Sequence, residues 1–413
     1  MRVSDIYLQN LYMSNISKSK SELARIQDQL AKQSKVNKPS DSPLGSARIM
    51  RLTSQLENAA TYEDNINNGI AFLDNSIISM DGIQSEIQKL LSDLATINNT
   101  LVTDYEVLAS QIDMAINSML DFANAEYDGE YLFSGTDHSG KPFNYDGSSV
   151  TIASSAIGGD HKVRIAKNIH QQINITGKEL FVPVLQQFGN IDSTAGIGTP
   201  QSSTALVYDS EGNEYSFNFT YTMTAANTYD LSYEILDSGS NVVTSGSATN
   251  LVFNPATGDL ESIDGSTDTD IRIQVPGNGI DFIFDIGSLN ETTDPASLNT
   301  NLSQKTDIFN ALIEIRDKLL AGEAPTEEQV NIVTDFNNHI LSKISKAGTM
   351  YNRMSDASAL LSNQKLELED LISKEKDVDM ARSLIDLQSY QLSLDLSYQL
   401  SSVILPKSLL DYL

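Results

Sequence analysis

The chain has 413 residues, 40% of them hydrophobic and 20% charged, which is typical of a folded protein with more than one domain. Its 27 basic and 55 acidic residues give a formal charge of −28, which excludes nucleic acid and argues against an anionic membrane surface as a partner. It has no cysteine, so disulfides, cysteine-ligated zinc and thiol nucleophiles are excluded as well.

Residues 1–42 are predicted to contain the first helix, with an apolar stripe at heptad spacing that Ser19 interrupts. The stripe consists of Tyr12, Ile16, Leu23, Ile26 and Leu30. No continuous apolar segment occurs here, and no apolar run in the chain reaches the roughly 18 residues that span a bilayer. We therefore expect no Sec signal peptide and, if the chain is secreted, export by another route.

A long helix of about 50 residues is predicted from residue 43 onward, since PSDSP at 39–43 offers capping side chains and a proline for the first turn. Its heptad seam has one polar interruption, Gln84. The seam consists of Ile66, Ile70, Leu73, Ile77, Met80, Ile87, Leu91 and Leu94. A second helix is predicted to follow residues 98–100 and to end at Asp128 and Gly129.

The middle of the chain is predicted to be β structure, because 17 of the 23 glycines lie between residues 131 and 305 and glycine weakens helices. We expect hairpins at 131–185, a turn-rich linker at 189–200 and about seven strands over 204–287, forming a compact sandwich or barrel. Residues 186–304 hold 16 acidic side chains and one basic side chain, Arg272, which indicates a solvated surface.

The carboxyl-side flank is again helical, and its seam is predicted to pack against the first flank because an apolar stripe must be covered. This seam consists of Ile340, Ile344, Met354, Leu361 and Leu368. The fold class is therefore α+β and multidomain. Long N- and C-terminal helices pair as a coiled-coil-like bundle, and an all-β domain is inserted between them.

Near the carboxyl end a single helix is predicted to carry two apolar stripes, which calls for more than one neighbour. The first consists of Met380, Leu384, Leu387, Leu394 and Tyr398, and the second of Leu392, Leu396, Leu400 and Val403. The final residues are also apolar, at Leu409, Leu410 and Leu413. We interpret these residues and the stripe of the first helix as contacts between subunits. The alternative is an ordinary helical hairpin within one chain.

Catalytic and ligand-binding motifs are sparse. The histidines, His138, His161, His170 and His339, have no metal-site spacing. The acidic run at 264–270 lacks the closing glutamate of a calcium loop and is interpreted as a turn. Neither a phosphate-binding glycine loop nor a nucleophile motif is present, so we predict no catalytic residue, cofactor or metal, and a structural role.

Three segments resemble one branch of a known family. Residues 25–55, with PSDSP at 39–43, are similar to the amino segment of the flagellin superfamily as found in hook-associated protein 3, the hook–filament junction branch. GEYLFSGT at 129–136 and the carboxyl segment 387–413 resemble the same branch. The chain departs from it at 33–35, where Gln-Ser-Lys replaces the usual Gly-Lys-Arg, and at Ser42, where Asp is usual. Segments 207–214 and 251–260 resemble a β domain of the hook protein.

The resemblance implies three domains: 1–42 with 373–413, 43–188 with 305–372, and 189–304. The terminal helices would form an inner tube, the long helices a second shell, and the acidic domain would project outward. The subunit would be exported through the flagellar type III apparatus with an export chaperone and would lie outside the cell. About eleven copies would form a ring between hook-associated protein 1 and flagellin. Before assembly its termini would be poorly ordered.

Three other functions stay open on the sequence. A flagellin-type filament subunit is disfavoured by PSDSP at 39–43 and by the last three residues. A secreted enzyme would need a catalytic constellation within 186–304, and no convincing one occurs there. A coiled-coil adhesin whose β domain binds a ligand is the third.

Overall fold

The computed structural model of the protein describes residues 2–97, 104–136, 140–152, 157–275 and 277–404. The chain forms two compact units, one of residues 1–65 with 356–413 and one of residues 66–355. These bounds differ from the predicted terminal domain of 1–42 with 373–413, because two long helices each continue from one unit into the other. The terminal unit therefore includes one end of each long helix.

Long helices occupy both flanks, which confirms the predicted α+β class. The helices of the described residues are α1 (Arg2–Lys32), α2 (Pro43–Ile97), α3 (Tyr105–Ala123), α4 (Gly177–Phe181), α5 (Ile308–Leu320), α6 (Glu327–Lys376) and α7 (Met380–Ile404). The predicted start of α2 is confirmed, with Pro43 as its first residue and the Ser42 hydroxyl accepting a hydrogen bond from the Gly45 amide at 3.1 Å.

The helical carboxyl-side flank begins with two helices, α5 and α6, and local chain chemistry explains the break between them. Gly322, with φ of 83°, follows α5 and donates its amide to the Leu319 carbonyl at 3.0 Å. Thr326 and Gln329 then form a capping box: the Gln329 amide donates to the Thr326 hydroxyl, and the Thr326 amide donates to the Gln329 side-chain oxygen.

The heptad seam of α2 lies in the core. The seam residues spaced by seven are buried, namely Ile66, Leu73, Met80, Ile87 and Leu94, and those between them are half-buried, namely Ile70, Ile77 and Leu91. On α6, Ile340, Met354, Leu361 and Leu368 are buried and Ile344 is half-buried. A second buried face of α2 was not predicted and comprises Phe72, Ser76, Ile83 and Leu90. The helix therefore packs on two sides.

Three short antiparallel hairpins fall at or beside the segment predicted for them. Their strands are β1 (Glu126–Tyr127), β2 (Glu130–Tyr131), β3 (Phe143–Tyr145), β4 (Val150–Ile152), β5 (Lys162–Ala166) and β6 (Ile169–Gln172). They contribute to an aromatic cluster in which the ring of Phe181 lies 4.9 Å from that of Phe143 and 5.1 Å from that of Phe309. These rings join the hairpin of β3 and β4, α4 and α5 in one core.

The inserted domain is a sandwich of two sheets, as predicted. Its strands are β7 (Val184–Asp192), β8 (Pro200–Tyr208), β9 (Glu214–Ala225), β10 (Thr228–Leu236), β11 (Val242–Phe253), β12 (Leu260–Ile263), β13 (Asp270–Val275), β14 (Ile280–Thr292) and β15 (Ser297–Leu302). One sheet has the order β12-β11-β10-β9-β8 and the other β13-β14-β7-β15, with β14 and β7 parallel. Apolar residues of both sheets share a single buried core.

The predicted linker at 189–200 is wrong in its first part, because strand β7 continues to Asp192. Gly189 lies inside that strand with φ of 107°. A Cβ atom there would lie 1.9 Å from the Ser297 carbonyl oxygen of β15. Glycine is therefore required by the close approach of a neighbouring strand rather than by a turn.

Candidate functional site

The strongest candidate site is the pair of terminal helices, α1 and α7. The two helices pack antiparallel, and the Tyr12 hydroxyl donates a hydrogen bond to the Ser397 carbonyl. The Lys20 ammonium lies 5.8 Å from the centre of the Tyr398 ring, at a distance suited to a cation–π contact. Ile26 and Leu394 are only 4% and 5% exposed. Their burial therefore needs no second copy of the chain.

Other residues predicted as assembly contacts line the edges of this pair. Half-buried positions are Tyr12, Ile16, Leu23, Leu30 and Leu387. Met380, Leu384 and Tyr398, from the first predicted stripe of α7, stay exposed at the border. Val403 belongs to α7, but its side chain lies outside the described residues, as do Leu409, Leu410 and Leu413.

The second stripe of α7 is uncovered along its described length. Its members Leu392, Leu396 and Leu400 are 62%, 50% and 52% exposed, and Ile385, which was not predicted as part of the stripe, is 67% exposed on the same side. At about 100° per residue, these four side chains fall within roughly 80° of one another on the side of the helix opposite Leu387 and Leu394. One face of α7 therefore packs against α1. The opposite face is an apolar strip, here called the outer stripe of α7, which the described residues of the terminal unit leave uncovered.

An uncovered stripe of this kind is suited to binding another helix. Burying each leucine or isoleucine side chain stabilises a complex by about 1.5–3 kcal/mol relative to leaving it in water. The stripe carries no charge, and only a few charged residues occur on the rest of α7: Arg382, Asp386 and Asp395. Its chemistry is therefore that of a protein–protein contact.

The two long helices continue into the terminal unit and are held there by ion pairs. Arg48 of α2 contacts Glu375 of α6 at 2.8 Å, and Lys365 of α6 donates to the Glu63 carboxylate. The hydrogen bond from Lys365 to Glu63 raises the pKa of that lysine. The buried Leu361 and Leu368 lie on the same part of α6. This pairing provides a base from which α1 and α7 continue.

The segment between α1 and α2 is tightly hydrogen-bonded. The Asp41 carboxylate accepts bonds from the Asn37 and Lys38 amides at 3.0 and 2.9 Å. Asp28 accepts from the Lys32 ammonium at 3.1 Å and from the Asn37 side chain at 3.2 Å, and the bond from Lys32 lowers the pKa of Asp28. PSDSP at 39–43 is thus part of a structured connection. Hydrophobic periodicity in the sequence could not indicate its side-chain hydrogen bonds.

Chemistry beyond assembly has little support in the described residues. In those ranges no group of three or more His, Asp or Glu side chains is arranged to hold a metal ion, and no helix is long and apolar enough to cross a membrane. The His339 ring nitrogen lies 2.9 Å from the Glu179 carbonyl, and the His161 ring packs edge-on against Phe72. His170 is exposed, and His138 lies outside the described residues. Residues 264–269 connect β12 to β13, with Asp264 left-handed, and Asp270 is the first residue of β13.

Three family models match the sequence in order. The bacterial flagellin N-terminal helical region matches residues 3–138, and the bacterial flagellin C-terminal helical region matches residues 330–413. Between them, the flagellar basal body protein FlaE D2 domain matches residues 177–347. Comparison with curated proteins gives no match.

Several solved structures are similar over most of the chain. The flagellar junction protein FlgL from Legionella pneumophila is 16% identical with a TM-score of 0.45, and the match covers 80% of this chain and 100% of that one. FlgL from Xanthomonas campestris is 18% identical with a TM-score of 0.34, covering 84% and 99%. A Vibrio parahaemolyticus protein assigned as flagellar hook-associated is 13% identical with a TM-score of 0.47, covering 82% and 100%.

The sequence models show the family. The two flagellin models together match more than half of the residues. They cover α3 and the helices that build the terminal pair and its base, namely α1, α2, α7 and most of α6. The third model covers the β sandwich. The chain belongs to the flagellin superfamily, with the flagellin terminal helical regions on either side of a flagellar D2 domain.

Proposed function

We propose that this protein is a structural subunit of the bacterial flagellum, the adaptor that joins the hook to the flagellin filament. One observation carries the proposal: flagellin-type terminal regions and a D2 domain of another flagellar protein occur in a single chain. A subunit with parts of both kinds is suited to contact two different flagellar structures. No enzymatic activity is part of the proposal.

The outer stripe of α7 gives the proposal a mechanism. Four apolar side chains opposite the α1-facing surface would be covered by the terminal helices of a neighbouring copy, and repetition of that contact would close a ring of about eleven subunits. Among the other residues predicted as assembly contacts, Leu409, Leu410 and Leu413 would extend the same surface. Hook-associated protein 1 would lie on the hook side of this ring and flagellin on the other.

The acidic sandwich would lie at the outside of the ring. Its 16 acidic side chains against one basic side chain over 186–304 keep its surface solvated and discourage association through strand edges. Export as an unfolded chain through the flagellar type III apparatus, with a chaperone covering the apolar helices, would deliver the subunit to an extracellular position. A flagellin-type filament subunit is the second candidate, because both flagellin regions match.

Replacing Leu396 with aspartate tests the assembly role of the outer stripe. Leu396 lies at the middle of the stripe and is half exposed in the single chain. We expect Leu396→Asp to leave the monomer folded but to cost the subunit contact several kcal/mol, because an unpaired charge would be buried there. In the source bacterium with its own gene replaced, most cells should lose their attached filaments and shed flagellin into the medium.

Gln391→Asp is the matched control, since residue 391 is exposed on the same helix but lies far from the stripe around the helix axis. It should keep the filaments attached. Normal filaments on the Leu396→Asp cells would contradict the assembly role of the stripe.

To separate the two candidate functions, the filaments of wild-type cells would be labelled with an antibody to this protein. Signal confined to the filament base supports the adaptor, and signal along the filament supports the filament subunit.

A further inference from the structure

The hairpin of β5 and β6 is basic in an acidic chain. Over residues 160–172 it has three basic side chains, Lys162, Arg164 and Lys167, against one acidic side chain, Asp160, whereas the whole chain has a formal charge of −28. All three basic residues are exposed. Ile169, just after the turn, is 53% exposed. This segment, here called the basic hairpin, therefore presents an apolar side chain among positive charges.

One face of the basic hairpin lies on α2, and the other faces away from it. A Cβ atom at Gly69 of α2 would lie 3.5 Å from Cγ2 of Val163. Val163 pairs with Gln171, which is 6% exposed, so these two residues belong to the inner face. Because side chains alternate between the two faces of a strand, the outer face consists of Lys162, Arg164 and His170.

An exposed face of α2 has the opposite charge. Asp74, Ile78 and Asp81 are all exposed, Ile78 by 58%. At about 100° per residue, these three side chains lie within roughly 60° of one another around the helix axis. Gly69 and Phe72, which contact the basic hairpin, lie about 180° away from them. The basic hairpin and this acidic face of α2 are therefore on opposite sides of the same helix.

We propose that the basic hairpin of one copy docks on the acidic face of α2 in the neighbouring copy. Their charges are complementary, and the contact would remove an exposed isoleucine of each surface, Ile169 and Ile78, from water. Since the two surfaces lie on opposite sides of α2, the contact is head-to-tail, and such contacts close into a ring when repeated. The inference rests on the proposed function and adds a contact outside the terminal helices.

Crosslinking of introduced thiols in isolated flagella tests the proposal, because the chain has no cysteine of its own. In the double variant Ile78→Cys with Ile169→Cys, each copy can be linked to the neighbour on either side. A short bis-maleimide should therefore produce a ladder of dimers and larger multimers of this chain. Each single variant should stay at the size of one chain, since residue 78 never meets residue 78 of another copy in a head-to-tail contact. Dimers in either single variant would overturn the proposal.

Ile169→Cys with Ser238→Cys is the matched control, since Ser238 is exposed on the acidic sandwich. This pair should give no ladder, and a ladder from it in place of the first would assign the basic hairpin to a neighbour's sandwich and overturn the proposal. Labelling the same flagella with the antibody to this protein separates the two proposals. Signal at the filament base without a ladder would overturn only this contact, whereas flagella without signal would overturn the proposed function as well.

Exchanging charges tests the same contact through assembly. Lys167→Glu and Asp81→Lys each place like charges across the contact, so each should increase the flagellin shed into the medium by about two- to fivefold. The combined variant restores opposite charges and should return shedding toward the wild-type level. Asp294→Lys makes the same charge change in the exposed β14–β15 turn and should leave shedding unchanged. Shedding from the combined variant equal to the sum of the two single effects would overturn the pairing of these surfaces.

Discussion

Leu394→Asp is expected to release α7 from α1 in the monomer. Leu394 is 5% exposed and lies one turn from Ser397, whose carbonyl accepts the hydrogen bond of Tyr12. Removing a buried leucine destabilises the contact between α1 and α7 by about 2–5 kcal/mol, and burying the unpaired carboxylate would destabilise it further. We therefore expect the two helices to separate, which leaves the carboxylate in water. Amide exchange in α1 and α7 should accelerate by at least about thirtyfold, with loss of helical circular dichroism.

Leu396→Asp is the matched control for that experiment, since Leu396 lies two residues away on the outer stripe and is half exposed. Surface substitutions usually change stability by less than about 0.5 kcal/mol, so its monomer should exchange like the wild type. The two aspartates should therefore have different effects, one on the monomer and one on assembly. Equal exchange rates in the two variants would mean that the inner and outer faces of α7 are assigned wrongly.

Phe217→Ala is expected to destabilise the β sandwich by about 3–5 kcal/mol. The Phe217 ring is fully buried, and its centre lies 5.0 Å from that of Phe284, 5.3 Å from that of Phe282 and 5.6 Å from those of Phe219 and Tyr233. It therefore joins the cores of both sheets. Urea unfolding followed by amide exchange should show strands β7–β15 opening at lower urea concentration, while α1 and α7 keep their wild-type protection.

Phe188→Ala serves as the control, because Phe188 is in β7 of the same sandwich but is 43% exposed. Its effect should be at most about 1 kcal/mol, since little apolar surface is lost from the core. If Phe217→Ala and Phe188→Ala lowered the free energy of unfolding equally, that result would contradict the claim that the two sheets share a single core around Phe217.

Periodicity in the sequence located the helices well but identified only one of the two buried faces of α2. The seven-residue spacing from Ile66 to Leu94 is a local signal, and those residues are buried. Phe72 and Ser76 are buried as well, yet the rings that contact Phe72, those of Tyr127 and His161, come from segments distant in sequence. The Ser76 hydroxyl donates a hydrogen bond to the Phe72 carbonyl at 2.9 Å. This bond satisfies the hydroxyl, whose burial without a partner would be unfavourable.

The candidate site was predicted in outline for a similar reason. The sequence indicated two apolar stripes on α7, but spacing alone could not decide which stripe the chain itself covers. Nor could it predict that Gln33, which leaves every helix seam unchanged, occupies a left-handed position of the kind that usually favours glycine. Conformations of single residues depend on hydrogen bonds to remote segments, and these become visible only in the fold.

Thiol labelling at the outer stripe tests most directly whether other subunits cover it. The chain has no cysteine, so Leu396→Cys introduces a single reactive thiol, and Ser238→Cys places one on the exposed β10–β11 loop as a reference. In the purified monomer both thiols should react with a maleimide at similar rates. In isolated flagella the thiol at 396 should be protected at least about tenfold while the thiol at 238 still reacts; equal reactivity at 396 in the monomer and in flagella would contradict the account.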